Sequence, residues 1–271
     1  MKTRILSAVV LIPLLFLLTL FLPEEVAAVV FGLLLAIGVY ELLYRTRLVR
    51  RGRLVIYSAI AAFAVTIWSF FDAQHAYLML GLLVYCLAMF TEMIADHIKI
   101  HFETICTCFF AGFVMPYLIS ALIRILVMPI GRYLVLVPFT IAFMSDAGAY
   151  FVGIRYGKHK LAPVVSPNKT IEGALGGVVS AMAGMLIYAI ILDLFFKFNV
   201  SYGLAILYGA FGSIAGMFGD LCFSVIKRQT GIKDYGNLIP GHGGVMDRFD
   251  SLMTVAPMVE ALLLIAPFAK V

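Results

Sequence analysis

The apolar residues of this chain come in uninterrupted runs close to the ~20 residues that an α-helix needs to cross a ~30 Å hydrocarbon core. In lipid, every backbone N–H and C=O must find its partner within the chain, so only helices and closed barrels can span. A barrel would show short alternating segments, which are missing here. Composition agrees: 63% of the residues are hydrophobic and 13% charged, against about 45–50% and about 25% in soluble domains. The expected fold is therefore an all-α integral membrane protein, a polytopic bundle of about nine transmembrane helices. No soluble segment, repeat or low-complexity tract interrupts the pattern, so residues 1–271 read as a single polytopic membrane domain. Its N-terminal spans occupy 1–133, and its catalytic spans and cytoplasmic loops occupy 134–271.

Breaks at charged, Pro and Gly residues place the spans near 5–22, 26–44, 54–71, 76–95, 104–126, 134–152, 171–196, 202–226 and 248–268. The first run begins basic, like a signal peptide. It is followed by Leu22-Pro23-Glu24-Glu25 rather than a small-residue cleavage site, so it reads as a retained span. With the N-terminus inside, all but Arg124, Arg132, Lys197 and Lys270 of the 20 Lys and Arg fall on the cytoplasmic side, as the positive-inside rule requires. This predicts a multi-pass protein of the cell inner (plasma) membrane. The polar loops 153–170 and 227–247 face the cytoplasm, and chemistry is expected there.

Several function classes recede. The formal charge of +5 sits at helix ends and in short loops, not on one soluble face, so nucleic acid is not an expected partner. Cys86, Cys106, Cys108 and Cys222 lie in apolar runs without metal or redox spacing and read as small core residues. Gly153-x-x-x-Gly157-Lys158-His159 lacks the spacing and the Ser/Thr of a Walker loop. His97 and His101, near Asp96 and Glu103, read as a solvated loop. The glycines at 209, 212, 216 and 219 mark a helix face for close packing.

Carboxylates and lysines carry the remaining signal. Asp220, Ser224 and Lys227 stand at i, i+4 and i+7 on one face of the eighth span. Asp247 and Asp250 open the ninth, three residues apart. Together with Asp220 these three acids are expected to converge, and an all-oxygen ligand set suits Mg²⁺. Asp146, flanked by small residues in the sixth span, is a further intramembrane acid. Thr170 is placed to cap the seventh span beside Lys169, and a helix N-terminus with a lysine makes an anion site.

The run Ser224-x-x-Lys227-Arg228-x₄-Lys233-Asp234-x-Gly236-x₂-Ile239-Pro240-x-His242-Gly243-Gly244-x₂-Asp247-Arg248-Phe249-Asp250 resembles the C-terminal signature of the phosphatidate cytidylyltransferases, or CDP-diacylglycerol synthases. Ser145-Asp146-x-Gly148-Ala149-Tyr150 and Ser166-Pro167-x-Lys169-Thr170-x-Glu172-Gly173 also resemble elements of that family. The sequence departs from its pattern at Asn168, where Lys is frequent, and at Ala147, where Thr is.

The resemblance implies an Mg²⁺-dependent nucleotidyltransferase of phospholipid biosynthesis, condensing CTP with phosphatidate to CDP-diacylglycerol and pyrophosphate. Its substrates are polyanions, one soluble and one held in membrane lipid. A phosphate oxygen is already ionised at neutral pH, so positioning and charge neutralisation carry the reaction. On this reading Asp220, Asp247, Lys227, Lys233 and Arg248 are catalytic. Ser166, Asn168, Lys169, Ser224, Arg228, Asp234 and His242 bind substrate, and Asp220, Asp247, Asp250 and Asp146 hold metal. A homodimer stays open. The competing class is an ion-relaying secondary transporter, which predicts polar residues near the midplane in both halves. A second alternative keeps the chemistry but uses another lipid phosphate or a polyprenol as acceptor.

Overall fold

The computed structural model describes residues 13–71, 75–238, 241 and 243–270. Among them, seven helices are long and apolar enough to cross a membrane: α1 (Glu24–Arg45), α2 (Gly52–Phe71), α3 (His75–Ala95), α4 (Phe102–Leu126), α5 (Gly131–Tyr156), α6 (Ile171–Phe196) and α7 (Tyr202–Gln229). The protein is thus an all-α polytopic membrane protein. The expected count of nine is not reached among the described residues. Residues 5–12 of the first expected span lie outside them; the rest is helical over 13–16 and continues as a π-helical turn, Leu17–Phe21.

The ninth expected span differs for a physical reason. The run 248–268 is not one helix: a four-residue helix α8 (Met246–Phe249) is followed by a turn at Asp250 and Ser251. Helix α9 (Leu252–Ile265) then runs for only 14 residues around Pro257, about 21 Å at 1.5 Å per residue. Asp250 helps make the break, because its own Oδ1 accepts the Ser251 N–H at 2.8 Å. The chain beyond α9 pairs as a short strand, β4 (Ala269–Lys270), with β3 (Asn199–Val200).

The chain divides into two compact units, residues 1–124 with 227–249, and residues 125–226 with 250–271. In the first, α1 packs on α2 where Gly32 leaves a Cβ position 2.8 Å from the Phe63 ring. Polar side chains tie the helices where lipid offers no partners. Tyr85 Oη donates to the Cys108 carbonyl at 2.8 Å and lies 2.9 Å from Ser58 Oγ, linking α2, α3 and α4. Helix α4 carries a π-turn at Phe110–Val114. There a Cβ on Gly112 would meet Tyr85 Oη at 2.6 Å. The loop after α3 is solvated as expected, with Asp96 ion-paired to Arg51. Of the cysteines Cys108 is buried, but Cys106 is exposed because it falls on the outer face of α4.

In the second unit the α7 glycines fulfil their expected role. A Cβ on Gly209 would lie 2.7 Å from the Ala181 carbonyl, on Gly212 2.8 Å from Ile141 Cδ1, and on Gly216 2.8 Å from Val255 Cγ2. One face of α7 therefore meets α6, α5 and α9 in turn. Helices α5 and α6 are similarly close, with Gly176 opposite Val152 and Gly184 opposite Met144, each 2.5 Å from a built Cβ. Ser145 and Ser213, both buried, share a 2.7 Å hydroxyl–hydroxyl bond between α5 and α7.

Candidate active site

The polar residues singled out from sequence fall into two clusters, one in each unit. In the second unit, α5 continues to Tyr156, further than the expected end at 152. The segment after it is an antiparallel hairpin, β1 (Lys160–Ala162) and β2 (Ser166–Thr170), rather than an open loop. Thr170 caps α6 as predicted, its Oγ1 accepting the Gly173 N–H at 3.1 Å. Glu172 fastens the other end of the hairpin. Its Oε2 accepts the Lys158 and His159 N–H groups at 3.0 and 3.2 Å, and its Oε1 lies 2.6 Å from His159 Nδ1. Lys160 Nζ donates to the Pro167 carbonyl at 2.6 Å.

So fixed, the hairpin holds out Lys169, which forms an ion pair with Asp220 of α7. Asp220 also accepts from Ser224 Oγ at 3.3 Å, one helical turn on. Both charged side chains keep 28% of their surface exposed, so the pair is reachable. Gly219 brings α7 against the start of α9, its built Cβ lying 2.8 Å from the Asp250 carbonyl. Ser166 is half-buried in β2, and Asn168 is exposed. Asp146 is exposed on α5.

The first unit's cluster is built inward. Asp247 at the start of α8 is buried, with 4% of its side chain exposed. Its Oδ1 receives Lys227 Nζ at 3.0 Å, and its Oδ2 receives the N–H groups of Tyr235 and Gly244 at 2.8 and 2.9 Å. The Lys227 ammonium also lies 5.3 Å from the centroid of the Tyr235 ring. Arg228, Lys233, Asp234 and Arg248 are exposed around this core. His242 lies outside the described residues. It is flanked by Gly241 and Gly243 at φ 77° and 84°, a left-handed backbone that favours glycine.

Of the three acids expected to converge, Asp220 and Asp250 belong to the second unit and Asp247 to the first. Among the described residues no three His, Cys, Asp or Glu side chains come close enough to share a metal ion. Asp220 and Asp247 are each taken up by a lysine, and Asp250 sits in the turn after α8 rather than on a common helix face.

One organising residue escaped the sequence reading. Glu41, in the π-turn that ends α1, is 3% exposed, and its Oε2 accepts the Met246 N–H at 3.0 Å. Gly236 and Gly244 both stand directly against its carboxylate, with no room for a Cβ at either. Arg45, one turn further, donates to Asn237 Oδ1 at 2.8 Å. A carboxylate of the first described span thus clamps the signature loop around Asp247. The only signal available was an acid at the end of an apolar run, set among basic residues.

A family model described as the cytidylyltransferase family matches residues 2–266. The chain belongs to the cytidylyltransferase family. This cytidylyltransferase-family chain is 46% identical over 134 residues to the phosphatidate cytidylyltransferase of Staphylococcus haemolyticus (strain JCSC1435). It is 42% identical over the same length to that of Staphylococcus saprophyticus subsp. saprophyticus, and 43% to that of Staphylococcus aureus (strain COL). Each alignment covers 49% of this chain and 50% of the relative. The chain therefore spans about half the length of the relatives it matches.

Proposed function

We propose that the protein is a phosphatidate cytidylyltransferase, joining CTP and phosphatidate into CDP-diacylglycerol with release of pyrophosphate. The observation that carries this reading is the fate of the signature residues. In a chain that is 13% charged, they form two prepared lysine–carboxylate clusters, one reachable and one fixed by backbone donors, inside a family match that spans residues 2–266.

A phosphatidate oxygen forms a bond to the α-phosphorus of CTP while the α–β anhydride bond breaks, and pyrophosphate carries away the leaving electron pair. The second pKa of a phosphate monoester lies near 6, so the attacking oxygen is anionic at neutral pH and needs no strong base. The chain's own task is to hold two polyanions together and neutralise their charge. Lys169, on its fixed hairpin, and Lys227, at the end of α7, are the ammonium groups placed for that work. Ser166, Asn168, Ser224, Arg228, Lys233, Asp234, His242 and Arg248 are the further phosphate and nucleotide contacts.

The carboxylates fit a magnesium ion in donor type: oxygen only, with one or two carboxylates sufficient when water and phosphate complete the octahedron. Asp220 would hold it through the oxygens now engaged by Lys169 and Ser224. Asp247 would use Oδ1, whose partner Lys227 is an ammonium that a divalent cation can replace as counter-charge. Asp250 and Asp146 are outer candidates. When bound, the ion would supply further neutralisation of the triphosphate. The same reading puts both polar segments on the cytoplasmic face of the inner membrane, because CTP is a soluble nucleotide and the basic loops stay inside.

The test is incubation of the purified protein in detergent with labelled CTP, Mg²⁺ and phosphatidate. A labelled liponucleotide is expected. Its absence, with the protein shown to be folded, would overturn the assignment.

A further inference from the structure

The basic run after α1 divides into two sets. Arg51 pairs with Asp96, and Arg53 lies 3.7 Å from Glu92. Arg45, Arg47 and Arg50 instead line, with Tyr40 and Tyr44, a hollow of ≈ 670 Å³, within the ~300–1,000 Å³ range of small-molecule sites. Among the described residues no acidic side chain lines it. Among the described residues neither Arg47 nor Arg50 has a carboxylate within ion-pair distance, and Arg45 is steadied by a neutral acceptor, Asn237. The positive-inside rule explains why basic residues gather here. It does not explain why part of the run is neutralised while its neighbours surround a hollow.

The backbone brings those arginines to one place. Thr46 Oγ1 bonds back to the Leu42 carbonyl, and the Arg47 and Val49 N–H groups bond to the Tyr44 and Leu43 carbonyls at 3.1 and 3.0 Å. Arg47 itself holds φ 61°, a left-handed conformation that costs a non-glycine residue about 1 kcal/mol or more. The tight reversal folds Arg47 and Arg50 back beside Arg45. Tyr40 and Tyr44, one turn apart, stack at 5.3 Å and 20° and are 45% and 48% exposed. Such rings, apolar in body and polar at the tip, belong at the depth where lipid headgroups lie.

We infer that this hollow binds the phosphate monoester headgroup of a membrane lipid, and so receives the phosphatidate of the proposed reaction, a reading on which the choice of lipid rests. The chemistry selects the ligand. A monoester near neutral pH carries more than one negative charge, suited to guanidinium forks that bind phosphate oxygens in pairs. A phosphatidylcholine headgroup offers no net charge. CTP offers the same phosphate chemistry from solution. The hollow opens where an apolar span ends and is flanked by interfacial tyrosines, which favours the lipid.

The test is equilibrium binding to the detergent-purified full chain, with no turnover. The probes are dioctanoyl phosphatidate, dioctanoyl phosphatidylcholine and CTP, each alone. Replacing both Arg47→Gln and Arg50→Gln is expected to weaken phosphatidate binding about tenfold or more, the scale of one or two lost charge-assisted hydrogen bonds. CTP affinity and the melting temperature stay unchanged. Arg47→Lys with Arg50→Lys restores part of the loss and serves as the folded comparison if the Gln pair melts early. Unchanged phosphatidate affinity in the Gln pair overturns the inference, as does an equal loss for CTP or phosphatidylcholine. Because no turnover is needed, the two readings can fail separately. Phosphatidate binding through these arginines with no liponucleotide formed overturns the reaction and keeps the site. Liponucleotide synthesis with an unchanged KM for phosphatidate in the Gln pair does the reverse.

Discussion

Asp220 and Asp247 are both signature carboxylates paired with lysine, yet they are built in opposite ways. Asp220 is held by two side chains, Lys169 and Ser224, and keeps 28% of its surface exposed. Asp247 is held by one lysine and two backbone N–H groups and keeps 4%. Exposed ion pairs add little to stability, whereas a buried one leaves an uncompensated charge when one partner is removed. The reachable pair can thus be spent on substrate without loosening the fold. The buried pair serves the loop's own conformation as well as any chemistry.

The largest expected effect separates the two. Asp247→Asn and Asp220→Asn should each lower turnover by about 10²-fold or more, since each removes a charged oxygen from the proposed magnesium site. Only Asp247→Asn should also lower the melting temperature in detergent, because it removes the charge of a buried carboxylate that holds Lys227 and two backbone N–H groups. Equal melting temperatures for the two variants would erase the distinction drawn here. Near-normal activity of either at limiting Mg²⁺ would remove that residue from the metal site.

Next in size is the clamp on the buried cluster. Glu41→Ala removes the acceptor of the Met246 N–H and empties the space beside Gly236 and Gly244. We expect a loss of about 1–3 kcal/mol in the stability of the loop, the cost of a buried donor left unmet. It should appear as faster amide exchange over 235–246 and lower turnover with little change in KM for CTP. Glu41→Gln, which keeps an acceptor oxygen, should recover most of it. Unaltered exchange in the Ala variant would show that the loop holds itself.

How far each cluster could be read from sequence follows the same divide. Thr170 as a cap, Lys169 beside it, the Asp220–Ser224 spacing and the α7 glycines were legible because local helical periodicity fixes them. The clamp was not. Glu41 and Met246 are 205 residues apart, and a lone acid at the end of an apolar run looks like any interfacial residue. The hairpin 160–170 was hidden because its strands are short, carry Pro167, and show no apolar alternation. The break before α9 was hidden because no Gly or Pro marks Asp250 and Ser251, where a carboxylate turning onto its own neighbour does the work.

A smaller effect sharpens the open cluster. Thr170→Val removes the side-chain acceptor of the Gly173 N–H, which typically costs about 1 kcal/mol. Since this cap lies directly after Lys169, we expect weaker CTP or phosphatidate binding by a few-fold, with a modest change in melting. Thr170→Ser, which keeps the cap, should behave like the parent. If Val and Ser variants bind alike, the hairpin is held by Glu172 and Lys160 without the cap.

The smallest expected effect concerns His242, the residue that invites assignment as a general base. A phosphatidate phosphate near neutral pH already presents an anionic oxygen, so a base would have little to remove. In the sequence His242 stands between Gly241 and Gly243, and a hydrogen-bond donor to phosphate or loop is the more useful part of its side chain. His242→Gln keeps a donor and should retain substantial activity, while His242→Ala should lose more. A general base would make both changes severe, about 10²-fold or more, and would tie the parent's activity to an acid-side limb that both variants lack. Turnover against pH for the parent and the two variants decides between these roles. Equal and severe losses with that limb gone would mean that charge neutralisation by Lys169 and Lys227 is not enough, and that the buried cluster also moves a proton.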